Sequence, residues 1–133
     1  MREARNAFHL AIPVRDLDEA YAFYVEGLGC HLARRYADRI TLDFFGDQVV
    51  CHLHDVDVSA PIELYPRHFG VTFVAENDFD DLLRLVEIRK VPVFRAPAMR
   101  FEGTVEEHRT VVLVDPSHNL LEFKHYRDPR MMF

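Results

Sequence analysis

The chain repeats one pattern, and that repeat limits its folds more than any other feature. Phe8-His9-Leu10-Ala11-Ile12-Pro13-Val14 leads into a helix-start signal at Asp16. His68-Phe69-Gly70-Val71-Thr72-Phe73-Val74 leads, after a slightly longer turn, into another at Asp78. Each run carries a histidine at its start, His9 and His68. A self-similar pattern sets architecture before any single residue does, because each copy is one supersecondary unit that must bury its apolar face against the other. Asp16 with Glu19 three residues on is close to a capping box. Leu17, Ala20, Tyr21 and Tyr24 then fall at i, i+3, i+4 and i+7, and Phe79, Leu82, Leu83 and Val86 repeat that spacing. The first helix is expected to stop near Gly27.

Strand-like segments follow each helix. In the first copy they are residues 30–36, 39–45 and 48–54, with Gly46-Asp47 as the tight turn of a hairpin. In the second they are 91–95, 109–114 and 120–125, with Asp115-Pro116-Ser117-His118-Asn119 as a turn. The expected class is α+β: two βαβββ modules in a single domain over 1–133, module one about 7–55, a linker about 55–67 and module two about 68–127. Ala96 to Glu107 is expected to be a long loop, a length that often serves as a lid.

Composition removes several function classes. A formal net charge of −6, with scattered arginines, argues against a nucleic-acid surface, which needs clustered cations. No stretch approaches the roughly 20 apolar residues of a membrane span, and the charged Met1-Arg2-Glu3-Ala4-Arg5-Asn6 does not read as a signal peptide. The expectation is a cytoplasmic protein with a small-molecule substrate and neither a nucleic-acid nor a membrane partner. Cys30 and Cys51 lack metal or redox spacing and read as buried reduced thiols on strands.

Alternation places the chemistry. His9 and Ala11 share a face opposite Leu10 and Ile12, and His68, Gly70 and Thr72 share a face opposite Phe69, Val71 and Phe73. The bulky face belongs under the helices. Small residues line the histidine face, as on a strand bordering a cavity. Glu122 points away from Leu121 and Phe123 on the last strand, so His9, His68 and Glu122 are candidate metal ligands on the inner side of a curved sheet. Two neutral imidazoles and one carboxylate suit a divalent cation with open positions, the set of non-haem Fe(II) oxygenases, although Mn, Co, Ni or Zn fit the same ligands. His52 and His54 share one face of the strand that ends the first copy, and His52 is a candidate catalytic base or fourth ligand. Tyr126 and Lys124 share the parity of Glu122, so either could hydrogen-bond a bound oxyanion. Tyr126 is carried forward as the second candidate catalytic residue. His31, His108, His118 and His125 have no repeat partner and are read as surface or turn residues.

These segments resemble the vicinal oxygen chelate superfamily, which holds glyoxalase I, bleomycin-resistance proteins and extradiol dioxygenases. The resemblance rests on Phe8-His9-Leu10-Ala11, the helix from Asp16 to about Val25, His68-Phe69-Gly70-Val71, and Asp115 to Phe123. Residues 43–53 also look like those of small single-domain members described only as glyoxalase- or dioxygenase-like. The resemblance implies paired βαβββ modules curving into an open barrel around one metal, with His9, His68 and Glu122 where the family's ligands stand. It implies a divalent metal, Fe(II) first, and an extradiol-type dioxygenase chelating two adjacent oxygens of a small catechol-like substrate. The alternatives are a glyoxalase-like lyase or isomerase acting through a metal-bound enolate, and a non-enzymatic drug-binding protein. The carboxylate that a glyoxalase would carry in the Gln48 to His54 strand is replaced by histidine, and sequestration alone needs no ligand triad. The modules pair within a chain or exchange with a second copy, and a homodimer is expected.

Overall fold

A computed structural model describes residues 3–133; Met1 and Arg2, the first of the charged N-terminal residues, lie outside it. Each module builds one four-stranded sheet. Module one runs β1 (His9–Val14), α1 (Leu17–Tyr21), β2 (His31–Arg35), β3 (Arg39–Phe44) and β4 (Asp47–Leu53), with sheet order β1-β4-β3-β2. Module two runs β5 (Phe69–Phe73), α2 (Glu76–Arg89), β6 (Val93–Arg100), β7 (His108–Val114) and β8 (Leu120–Tyr126), in the order β5-β8-β7-β6. In both, the first strand lies parallel to the last and the other pairs are antiparallel. The fold is α+β, with curved sheets not closed into a barrel.

Asp16 caps α1 as its position foretells, its Oδ1 accepting from the Asp18 and Glu19 amides at 2.8 and 2.9 Å. The helix widens into a π-helical turn over Ala22–Gly27 that seats Phe23 and Tyr24 in the core. The second helix departs from expectation: α2 is capped by the extended Ala75 and starts at Glu76, leaving Asp78 inside the first turn. There its charge still favours the helix N-terminus, so the acidic signal was right and the cap lies three residues earlier, at Ala75.

Two other boundaries move for physical reasons. The β3–β4 hairpin turns on Phe45-Gly46 instead of Gly46-Asp47, with φ of 53° and 91°, and Phe44 pairs with Asp47. Two left-handed residues in a two-residue loop give the turn whose twist matches the strands. Phe45, a poor residue for that conformation, lays its ring against Phe44, Phe73 and Phe123. The long loop also shrinks: β6 continues to Arg100, with register shifts on either side of Arg95 that take up Pro97 on the sheet edge.

One core joins the modules. Tyr24, Ile40 and Leu42 from the first and Phe79, Leu113 and Phe123 from the second are fully buried within it, each stabilising by roughly 1.5–3 kcal/mol. A polar clasp locks them together. The Tyr24 hydroxyl donates to Asp115 Oδ2 at 2.8 Å, Asn119 Nδ2 donates to the Pro13 carbonyl at 2.9 Å, and the Arg15 amide donates to Ser117 Oγ at 2.9 Å. Burial raises the Asp115 carboxyl above its usual range and the Tyr24 phenol well above its own.

Candidate metal centre

Sheet pairing fixes which side chains face each other across each histidine-bearing face. In module two, Gly70 pairs with Glu122, Glu122 with Val112, and Val112 with Arg95. In module one the same row reads Ala11, Val50, Thr41 and Arg34. The counterpart of Glu122 is therefore Val50, while His52 corresponds to Lys124, since His52 pairs with Pro13 and Lys124 with Thr72.

The structure brings two of the three sequence-derived ligands together. His68 Nε2 lies 3.0 Å from Glu122 Oε2, with the Glu122 side chain only 9% exposed. His68 Nδ1 is 2.9 Å from the Leu64 carbonyl. A carbonyl only accepts, so Nδ1 carries the hydrogen, and in the neutral ring Nε2 presents a lone pair to a carboxylate oxygen. Two electron-rich atoms that close require a cation between them, a proton or a metal ion. Ligand bonds of about 2.1 Å at a right angle would hold N and O roughly 3 Å apart, so the spacing fits adjacent positions on one ion.

The surroundings hold the pair in place. Thr110 Oγ1 donates to Glu122 Oε1 at 2.8 Å, fixing the carboxylate as outer hydrogen bonds orient metal ligands. Lys124 Nζ lies 3.3 Å from Glu122 Oε2. Gly70 permits the approach of β5 to β8, because a Cβ there would sit 1.8 Å from the Glu122 carbonyl oxygen. His68 also lines a cavity of about 530 Å³ walled by Leu10, Ile12, Ile62 and Leu120 together with Asp57, Glu63 and Arg67, within the size range of small-molecule sites.

His9 stands apart. It is exposed, and its Nδ1 lies 2.6 Å from Gln48 Oε1 on its own sheet. Among the described residues no group of three or more His, Cys, Asp or Glu side chains is gathered closely enough to hold a metal. His52 is exposed near the end of β4. Tyr126 lies four residues beyond Glu122 on the same face, its ring 4.7 Å from that of His108. His108, read from sequence as a surface or turn residue, is buried on β7 opposite Tyr126. Its parity with Thr110 was the available signal. Both cysteines are buried and reduced, though Cys30 sits just ahead of β2 instead of on a strand, and burial pushes both thiols up to about 12.

Comparison with known proteins agrees with this fold. A model of the Glyoxalase/Bleomycin resistance protein/Dioxygenase superfamily matches residues 7–123. A crystal structure of a glyoxalase/bleomycin resistance protein/dioxygenase from Alicyclobacillus acidocaldarius is 60% identical, covers 100% of both chains and superposes with a TM-score of 0.94. Fold-level similarity extends to a lactoylglutathione lyase from Agrobacterium tumefaciens, at 18% identity, 90% and 92% coverage and a TM-score of 0.64. It also reaches a genomically encoded fosfomycin resistance protein from Listeria monocytogenes, at 15% identity, 94% and 97% coverage and a TM-score of 0.69.

Proposed function

This chain belongs to the Glyoxalase/Bleomycin resistance protein/Dioxygenase superfamily, and on that premise we propose that it is a divalent-metal enzyme acting on a small substrate with two adjacent oxygens. Extradiol-type opening of a catechol-like ring is the proposed reaction. The observation that carries the metal reading is the convergence of His68 Nε2 and Glu122 Oε2 at 3.0 Å, with His68 oriented by a backbone carbonyl and Glu122 by a hydroxyl.

His9 is the third ligand, supplied in a homodimer by His9 of the partner subunit. In a single chain its histidine face is open: His9, Ala11 and Pro13 alternate as exposed residues along β1. A two-fold pairing that lays β1 of one copy beside β5 and β8 of the other covers both histidine faces at once, and two-fold pairing is the commonest assembly. The ligand set then has two imidazoles and one carboxylate, because Val50 stands where a second carboxylate would be. That set suits Fe(II) first, with Mn, Co, Ni or Zn as alternatives. A divalent ion bound there supplies Lewis acidity to two chelated oxygens and, as iron, a route to dioxygen chemistry. His52 is the proposed proton-moving group, and Tyr126 the proposed hydrogen-bond donor at the far end of the site. We propose a cytoplasmic setting on the two buried thiols that form no disulfide, and no helix among the described residues is long and apolar enough to cross a membrane.

Elemental analysis of anaerobically purified protein tests the metal, and His9→Ala, His68→Ala and Glu122→Ala should each abolish stoichiometric binding with the fold intact. Full occupancy in any two of these variants overturns the ligand assignment. Mixing the His9→Ala and Glu122→Ala chains should restore about a quarter of the sites, since half the dimers are mixed and each has one intact site; no recovery means the site is not shared. With iron bound, catechols should drive oxygen uptake while hemithioacetals of glutathione are not turned over. Glyoxalase turnover by the nickel form without oxygen uptake by the iron form replaces the dioxygenase with a lyase or isomerase, and absence of any metal leaves a binding protein.

A further inference from the structure

The two histidine-bearing faces carry arginines at matching positions of the repeat. Asp and Glu outnumber Lys and Arg by 22 to 16, and several arginines have carboxylate partners, among them Arg15 with Glu19, Arg35 with Asp18, Arg109 with Asp80 and Arg127 with Glu107, whereas Arg89 meets only backbone carbonyls. Arg34 and Arg95 have no ion pair among the described residues. They occupy one position in the repeat. Each follows a register shift in its edge strand, Leu32/Arg34 in β2 and Val93/Arg95 in β6, and each ends the row that contains Val50 or Glu122. Directly paired residues share a face, so Arg95 belongs to the same surface as Glu122, two strand spacings away, or roughly 10 Å. A long guanidinium side chain and a small ligand together span that distance.

Lys124 adds a second cation to this surface. Its ammonium and His68 Nε2 both meet the single oxygen Glu122 Oε2, at 3.3 and 3.0 Å. When that oxygen serves as a ligand, its charge is shared and the ammonium is left undercompensated beside the substrate position. Keeping arginine without a carboxylate in both copies, in a chain with carboxylates in excess, is what an electrostatically complementary binding surface requires.

Resting on the chelating site described above, we propose that its substrate is a small organic anion. Lys124 and Arg95 hold its carboxylate or phosphoryl group while its adjacent oxygens face His68 and Glu122.

Calorimetric titration of the nickel-loaded protein with 3,4-dihydroxybenzoate and with catechol tests this, the two probes differing by one carboxylate. At low ionic strength dihydroxybenzoate should bind at least about tenfold tighter, with the gap shrinking in 0.5 M salt as screening lengths shorten. Lys124→Met and Arg95→Gln should each reduce the gap severalfold, Lys124→Arg should restore most of it, and in Arg95→Gln, which touches neither His68 nor Glu122, catechol affinity and nickel content should stay within about twofold. Competition by acetate or by inorganic phosphate identifies the anionic group as carboxylate or phosphoryl. Equal affinity for the two probes, or a gap that neither substitution alters, overturns the proposal. The metal-free protein separates this from the metal reading: benzoate should still shift the side-chain NMR signals of Arg95 there, since that guanidinium has no carboxylate partner with or without metal. Retained shifts with no metal uptake refute the metal centre alone, whereas metal uptake without those shifts refutes the anion site alone.

Discussion

Across the middle of its histidine face, module one sets Ala11, Val50, Thr41 and Arg34 side by side, and module two sets Gly70, Glu122, Val112 and Arg95. The connectivity of the two is the same, so the difference in chemistry lies in side chains. A buried valine in one sheet corresponds to a carboxylate in the other, held by Thr110, Lys124 and His68. The first residue of the row changes with it. Ala11 is tolerated beside Val50, whereas β5 lies so close to Glu122 that only glycine fits. One module thus presents His9 and His52 at opposite ends of a face with Val50 between them, and the other presents a built half-site.

The sharpest way to break that comparison is at the paired small residues. Gly70→Ala should cost about 3 kcal/mol or more, because its Cβ meets backbone that cannot move without parting β5 from β8, and it should also remove metal binding. Ala11→Gly should cost only about 0.5–1 kcal/mol. Urea denaturation with metal analysis decides it, and equal small losses would mean the close approach is not required.

Next comes the clasp between modules. Asp115→Ala strands the Tyr24 hydroxyl and the Ser117 and Asn119 amides and should cost about 3 kcal/mol, against about 1 kcal/mol for Tyr24→Phe. The pH dependence has a definite sign. A carboxyl raised in the folded state keeps its proton where the unfolded chain has lost it, so its contribution is full below about pH 4 and is lost as pH rises through the folded value. Denaturation from pH 3.5 to 7 should show that loss in the wild type and not in Asp115→Asn; matching pH profiles would exclude Asp115 as its source.

His52 and Lys124, counterparts in the repeat, provide a smaller contrast. His52→Ala should lower turnover more than metal occupancy. Metal loss instead makes His52 a ligand, and unchanged activity reduces it to packing. The smallest expected effect is at Cys30 and Cys51. With both thiols pushed up to about 12 by burial, native protein should resist alkylation at pH 8 and label only on unfolding; labelling of either in the folded state would show that module one opens locally.

The sequence by itself determined the duplicated βαβββ plan, the helical stripes and the faces on which His9, His68 and Glu122 lie. Those properties follow from periods of two and 3.6 residues, which are local and visible within a few positions of each residue. Only the tertiary structure decided the rest. It put Val50, not a histidine, at the position of Glu122, carried β6 past Pro97, moved the hairpin to Phe45-Gly46, and left His9 apart from the His68–Glu122 pair. Each of these depends on register or packing between segments, and a one-residue shift in pairing changes which side chains meet while leaving the pattern along each strand unchanged.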